Sequence, residues 1–271
     1  MKFKIQSAVY ILVATLVSPA AICADAVLDA TDAGFVTELG GSAKGDGTIT
    51  PPATYNYSVG QELHYSDGSL GTPPGTTPLA YMDRNNYFIF DTTGIDGIVV
   101  GAALTLPAGM FESVDSFETF HLVAPLDPGA ALGDADMLAF AHTFGSTEFD
   151  EPFDPMVSVA MALYGNIEGG SGDILATSLI SSSDDFTTLS IEFEPLGIDY
   201  INSLLGGEIF FGGTVSTITP GSTTEQPFGF TGGEFPKLEL MTVPEPGSAS
   251  ILLTVAGCFG LRRRKCVGQP S

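Results

Sequence analysis

From about residue 85 to residue 243 the chain is a succession of short apolar–polar alternations, most of them closed by turn-forming residues. The plainest is Thr187–Glu194. Leu189, Ile191 and Phe193 fall on one side, while Thr188, Ser190, Glu192 and Glu194 fall on the other, the period of a half-buried strand. Asn86–Asp91 sets Tyr87 and Ile89 against Phe88 and Phe90. Val99–Leu106 follows Asp96-Gly97, a dipeptide suited to a tight turn. Phe117–Val123, Val157–Tyr164, Ile174–Ile180, Glu208–Val215, Pro227–Thr231 and Phe235–Met241 extend the set, and a first strand is expected near Thr54–Val59. Residues 39–53 and 66–78, rich in Gly, Pro, Thr and Ser, read as a mobile start and a long loop.

One segment has helical spacing. Pro195 suits the first helical position, Ile198, Ile201, Leu204 and Leu205 share a face, and Gly206-Gly207 supplies the stop. The expectation is therefore all-β: an antiparallel β-sandwich, jelly-roll-like, with one short helix. Strand–helix alternation is missing, which excludes doubly wound and barrel folds. No repeat of fixed period points to a propeller or solenoid.

Both ends of the chain break this pattern. Lys2 and Lys4 precede an apolar run from Ile5 to Val17, and small residues follow at Ala20, Ala21, Ala24 and Ala26. That is the layout of a secretory signal peptide over 1–24, an N-terminal signal helix with cleavage after Ala24 or Ala26. At the other end, Pro244-Glu245-Pro246 leads into an apolar stretch, Gly247–Leu261, and then Arg262-Arg263-Arg264-Lys265. Fifteen apolar-rich residues give about 22 Å of helix, short against a hydrocarbon core of roughly 30 Å. Snorkelling arginines and local thinning allow such a segment to act as a C-terminal transmembrane helix. The four cations form a membrane stop that stays cytoplasmic, leaving 266–271 as a cytoplasmic tail. Between the two signals lies one domain, 25–242.

Charge sharpens this picture. Residues 25–243 hold three cations, Lys44, Arg84 and Lys237, against 31 acids, a formal −28. Such a body repels nucleic acid and anionic lipid, and it lacks the basic groups that phosphate chemistry needs. Cys23, Cys258 and Cys266 all lie in the terminal signals, so the domain offers no disulfide, zinc–thiolate site or cysteine nucleophile.

Glu148, Asp150, Glu151 and Asp154 place four carboxylates in seven residues, which read first as a solvated acidic loop and second as a candidate Ca²⁺ site. Asp134 with Asp136, and Asp91 with Asp96, are lesser versions. Arg84 is expected to pair with a carboxylate such as Asp83 or Asp91 and pin one end of a sheet. His64, His121 and His142 stand at no metal-binding spacing from one another. Tyr55, Tyr57, Tyr65 and Tyr81 suit either sugar stacking or packing between loops. Gly169-Gly170-Ser171-Gly172 is a loop rather than a nucleophile elbow, and no catalytic residue is assigned.

The tripeptide Pro244-Glu245-Pro246, the apolar run and the Arg262–Lys265 cluster, in that order, resemble the PEP-CTERM sorting signal of exopolysaccharide-producing bacteria, over residues 243–265. That resemblance implies passage through the secretion translocon, removal of the leader by signal peptidase, and transient membrane insertion. It also implies cutting by an exosortase near the tripeptide and release to the cell surface or extracellular matrix. Arg84-Asn85-Asn86-Tyr87-Phe88-Ile89-Phe90-Asp91 followed by Ile98–Leu104 resembles the opening of bacterial jelly-roll modules of DNRLRE and carbohydrate-binding type. The function expected is a non-catalytic surface or matrix protein associated with exopolysaccharide. A carbohydrate-binding module is the alternative, and a secreted glycan hydrolase the second.

Overall fold

A computed structural model describes residues 24–38, 42–44, 54–55, 57–65, 78–143, 155–170, 172–218, 225–228, 231–232 and 235–244. In chain order the strands before the first helix are β1 (Ala24–Asp29), β2 (Asp32–Thr37), β3 (Ser42–Lys44), β4 (Thr54–Tyr55), β5 (Val59–Tyr65), β6 (Pro78–Asp91), β7 (Ile98–Pro107) and β8 (Glu118–Val123). Helices α1 (Pro128–Thr143) and α2 (Pro155–Gly169) follow, then β9 (Ile174–Ile180), β10 (Thr188–Glu192) and α3 (Pro195–Leu204). The last strands are β11 (Glu208–Val215), β12 (Glu225–Phe228), β13 (Thr231–Gly232) and β14 (Lys237–Val243).

Antiparallel pairing runs throughout. A small sheet has the order β1-β14-β7-β10; an eight-stranded sheet has the order β12-β5-β6-β11-β8-β9, with β2 beside β6 and β3 on β2. Strands β13 and β4 form a separate pair. Phe88 and Phe90 of β6 and Ile209 and Phe211 of β11 share one apolar core with Leu104, Leu106, Leu189, Ile191, Leu238 and Leu240 of the small sheet. The opposite face of β6 and β11 presents Tyr87, Ile89 and Phe210 to a second core. There Ala131, Ala135 and Leu138 of α1 and Ala160, Leu163 and Ile167 of α2 cover them. Tyr87 and Phe210 stack at 5.7 Å.

Helix α2 approaches the large sheet at Gly212, where a Cβ would lie 2.6 Å from Ile167 Cγ2. On the neighbouring residue, a Cβ at Gly213 would overlap Asn86 Oδ1 and sit 2.6 Å from the Phe120 ring. These two glycines let layers close on both sides of one strand.

The expected strands at 174–180 and 208–215 are present with those bounds, and β10 buries Leu189, Ile191 and, just past its end, Phe193 as the alternation predicts. Helix α3 begins with Pro195 in its first turn and is followed by Gly206 at φ +88°. Two corrections are needed. Val157–Tyr164 is helical, part of α2, and α1 is a further helix where a single one was expected. Val157, Val159, Met161 and Leu163 do alternate, but the buried set is Ala160, Leu163 and Ile167, spaced three and four apart as on a helix face. Strands β1, β2 and β3, upstream of the first expected strand, complete the correction.

Among the described residues no helix is long and apolar enough to cross a membrane, and the 247–261 stretch lies outside them.

Candidate functional site

The first and last strands of the domain are neighbours. Ala24 lies opposite Thr242 and Asp29 opposite Lys237 along β1–β14, while Val243 lies opposite Ile98 at the start of β7. Segments preceding residue 24 and following residue 243 therefore join the body at one point. Gly97, at φ +101°, closes on the Val243 carbonyl, where a Cβ would overlap that oxygen. Of the residues expected to form a sorting signal, Pro244 is exposed immediately past β14. Glu245, Pro246, Arg262, Arg263, Arg264 and Lys265 lie outside the described residues, as do Glu148, Asp150, Glu151 and Asp154.

A different carboxylate group does come together. Asp115, Glu118 and Glu225 each offer an oxygen within 4.8 Å of the others. Glu118 and Glu225 are fully buried and Asp115 is exposed. Ser113 Oγ donates to Glu118 Oε1 at 2.5 Å, Thr217 Oγ1 donates to Oε2, and Asp115 N donates to Ser113 Oγ at 2.9 Å. Clustered hard oxygens suit a divalent cation such as Ca²⁺, which takes six to eight, so three side chains form part of a shell at most. Sequence spacing could not join residues more than a hundred positions apart. One signal was visible: Glu118 occupies an inward position in the alternation that continues through Phe120 and Leu122.

The Arg84–Asp91 motif is a structural joint. Arg84 is 4 % exposed, donates from Nη1 to Ser58 Oγ at 3.1 Å and places its guanidinium 4.5 Å from the Phe35 ring centroid. Asn85 Nδ2 donates to Glu168 Oε2 of α2 at 3.1 Å, and Asn86 Nδ2 donates to the Tyr57 carbonyl at 3.0 Å. Asp83 accepts from Gln61 Nε2 and Asp91 accepts from Thr93 N; hydrogen bonding from the Thr93 side chain, and then from its backbone, holds the Asp91 carboxyl below its usual range. Tyr57 is wholly buried, so it belongs to the core rather than to a sugar-stacking face. The side chains of Tyr55, Tyr65 and Tyr81, and of His64 and His142, lie outside the described residues. His121 bridges Thr177 and Ser216, and partial burial lowers its pKa despite the opposing influence of Glu194. Asp134 and Asp136 stand two apart on α1 and so leave it in different directions.

An open groove of about 930 Å³ runs along the outer face of the small sheet. Val27, Val100, Gly101, Ala103 and Met241 line it, together with Glu192, Glu239 and Asp199. Glu239 and Glu192 flank Ala103 in register on neighbouring strands. Both carboxylates are exposed, and Glu239 accepts a hydrogen bond from Thr105 Oγ1 at 3.0 Å. The chain matches no family model and no curated protein.

Proposed function

We propose that this chain is an exported, exosortase-processed surface or matrix protein, non-catalytic, whose acidic jelly-roll-like sandwich is the delivered cargo. One observation carries the reading: the two terminal segments with the character of sorting signals meet the body at a single place, the Ala24/Thr242 end of β1–β14. Both are then removable without opening either core. Cleavage after Ala24 leaves five of the six β1–β14 pairs, and cleavage after Ala26 leaves three, so the strand pairing favours the first. A cut just beyond Val243 spares all of β14.

The order of Pro-Glu-Pro, apolar run and basic cluster supports a transient C-terminal transmembrane helix held by Arg262–Lys265. The body's formal −28 supports a soluble polyanion that stays off anionic lipid and nucleic acid. Glu192 and Glu239 stand on an open face where water screens them, so the hydrolase alternative receives no acid–base pair from them.

Intact-mass measurement on the protein from its native cells tests the proposal. The expected species begins at Asp25 and ends within a few residues of Pro246. A full-length chain recovered from the cytosolic fraction, uncut at both ends, overturns it.

A further inference from the structure

Three stretches far apart in the chain meet where β8 begins: the 113–118 segment that enters it, the edge strand β12, and β5 beside β12. Glu118 and Glu225 are wholly buried, Asp115 is exposed, and each places one oxygen within 4.8 Å of the other two. Two hydroxyls fix the Glu118 carboxylate. Ser113 Oγ accepts from Asp115 N and donates to Glu118 Oε1, while Thr217 Oγ1 accepts from Thr119 N and donates to Oε2. Each hydroxyl has a single hydrogen and spends it on this carboxylate, whose oxygens keep further lone pairs.

Gln61 adds an independent observation. It lies opposite Glu225 in the β5–β12 register, and opposed residues of an antiparallel pair leave the same face with Cβ atoms about 5 Å apart. The residue is 6 % exposed. Its Nε2 donates to Asp83 Oδ1 at 2.9 Å, on β6, the other neighbour of β5. An amide whose nitrogen is committed to β6 turns its oxygen to the side of Glu225. Among the described residues no donor reaches that buried Oε1. Leaving a buried acceptor unsatisfied is costly, and such an atom calls for an explanation.

The four groups share one property: each presents an acceptor oxygen and none presents a hydrogen. A positive ion satisfies them together. Carboxylate and amide oxygens without His or Cys are the ligands of a hard cation, which sets Zn²⁺ and Cu²⁺ aside. Mg²⁺ keeps several of its waters, and two wholly buried carboxylates leave little room for them. Ca²⁺ takes an irregular shell of oxygens, and two Ca–O bonds of ~2.4 Å span about 4.8 Å. Exposed Asp115 supplies the solvent-side wall and with it a path of entry.

We propose that Asp115, Glu118, Glu225 and Gln61 Oε1 form a Ca²⁺ site that ties the 113–118 segment, β5 and β12 together. Water on the Asp115 side fills the positions that the four side chains leave. Ligands drawn from positions 61, 115, 118 and 225 exist as a set only in the folded chain, so the ion stabilises that chain and pins a four-residue edge strand. The site needs nothing from the export reading, and it is distinct in sequence from the acidic 148–154 stretch.

The test uses the full chain in mild detergent, stripped with EDTA and exchanged into chelator-free buffer. Calorimetric titration with CaCl₂ should reveal one saturable site. A hundredfold excess over Kd should raise the Tm by about 5–10 °C, more than equal MgCl₂ or NaCl of equal ionic strength. Glu118→Gln and Glu225→Gln should each remove most of that rise. Gln61→Met, which keeps the length and deletes Oε1, should weaken Ca²⁺ about tenfold. The double variant Asp150→Asn, Asp154→Asn should keep the rise. No binding heat and no Tm rise at millimolar Ca²⁺ overturns the proposal. So does a rise matched by Mg²⁺ or NaCl, one that survives both glutamine variants, or one that the 150/154 double variant abolishes. If neither glutamine variant folds, Gln61→Met decides, and unchanged Ca²⁺ affinity there overturns it.

Discussion

The small sheet turns Ile98, Val100 and Met241 to water on its outer face, beside Glu192 and Glu239, and sends Leu104, Leu238 and Leu240 into the core. The middle of the large sheet has no free face. Tyr87, Phe88, Ile89 and Phe90 are each 3 % exposed or less, because one pair meets the small sheet and the other meets α1 and α2. A strand with one wet side tolerates change there, whereas a strand covered on both sides must fit at every residue.

The comparison breaks if substitutions in the two sheets behave alike. Phe211→Ala empties a site packed by Phe90, Phe193 and Tyr200 and should destabilise by about 3–5 kcal/mol in chemical denaturation. Val100→Ser, on the wet face, should stay within about 0.5 kcal/mol of wild type. A loss above roughly 2 kcal/mol at Val100, or below it at Phe211, would remove the distinction.

Glycines sharpen it further. Gly213→Ala drives a methyl into Asn86 and Phe120 and should destabilise by about 1–3 kcal/mol. Gly101→Ala meets Met241 Cβ at 3.7 Å, an ordinary contact, and should raise stability by up to about 1 kcal/mol through the unfolded chain's lost freedom. Equal Tm shifts of the same sign in the two variants would contradict the layering.

The smallest effect concerns His121, half-buried on β8 of the large sheet. Its pKa lies below the usual value near 6.5 in the folded chain. The unfolded chain therefore binds the proton first, and stability falls as pH drops from about 6.5 through the folded pKa. His121→Gln should flatten that part of the Tm–pH curve and leave the carboxylate region below it unchanged. A curve identical to wild type would mean the ring is not desolvated.

The same difference between sheets governs what could be read from sequence. Strand β10 was legible down to the side of each residue, since its outer face meets water. Helix α3 was legible from Pro195, its apolar spacing and Gly206. Helix α1 was not, because Ala131 and Ala135, which it lays on the large sheet beside Leu138, write no strong period, and α2 was not, because Val157, Val159, Met161 and Leu163 alternate like a strand. The Asp115–Glu118–Glu225 group depends on tertiary pairing, and only the inward Glu118 announced it. Arg84 was expected to pair with a carboxylate such as Asp83 or Asp91 and pin one end of a sheet; it is buried, while Asp83 and Asp91 accept from Gln61 and Thr93. The named neighbours of Arg84, Ser58 and Phe35, were beyond reach because they come from separate strands.

Strand β14 is the last of the domain to be synthesised, yet it sits inside the small sheet, between the first strand and β7. Until it emerges, β1 has no partner in that sheet and β7 lacks one of its two neighbours, so the shared core stays unsealed. These are contacts of very long sequence separation, and closing such loops is slow. Closure of the small sheet, and of the core it shares with the large one, thus waits for the last strand of the domain.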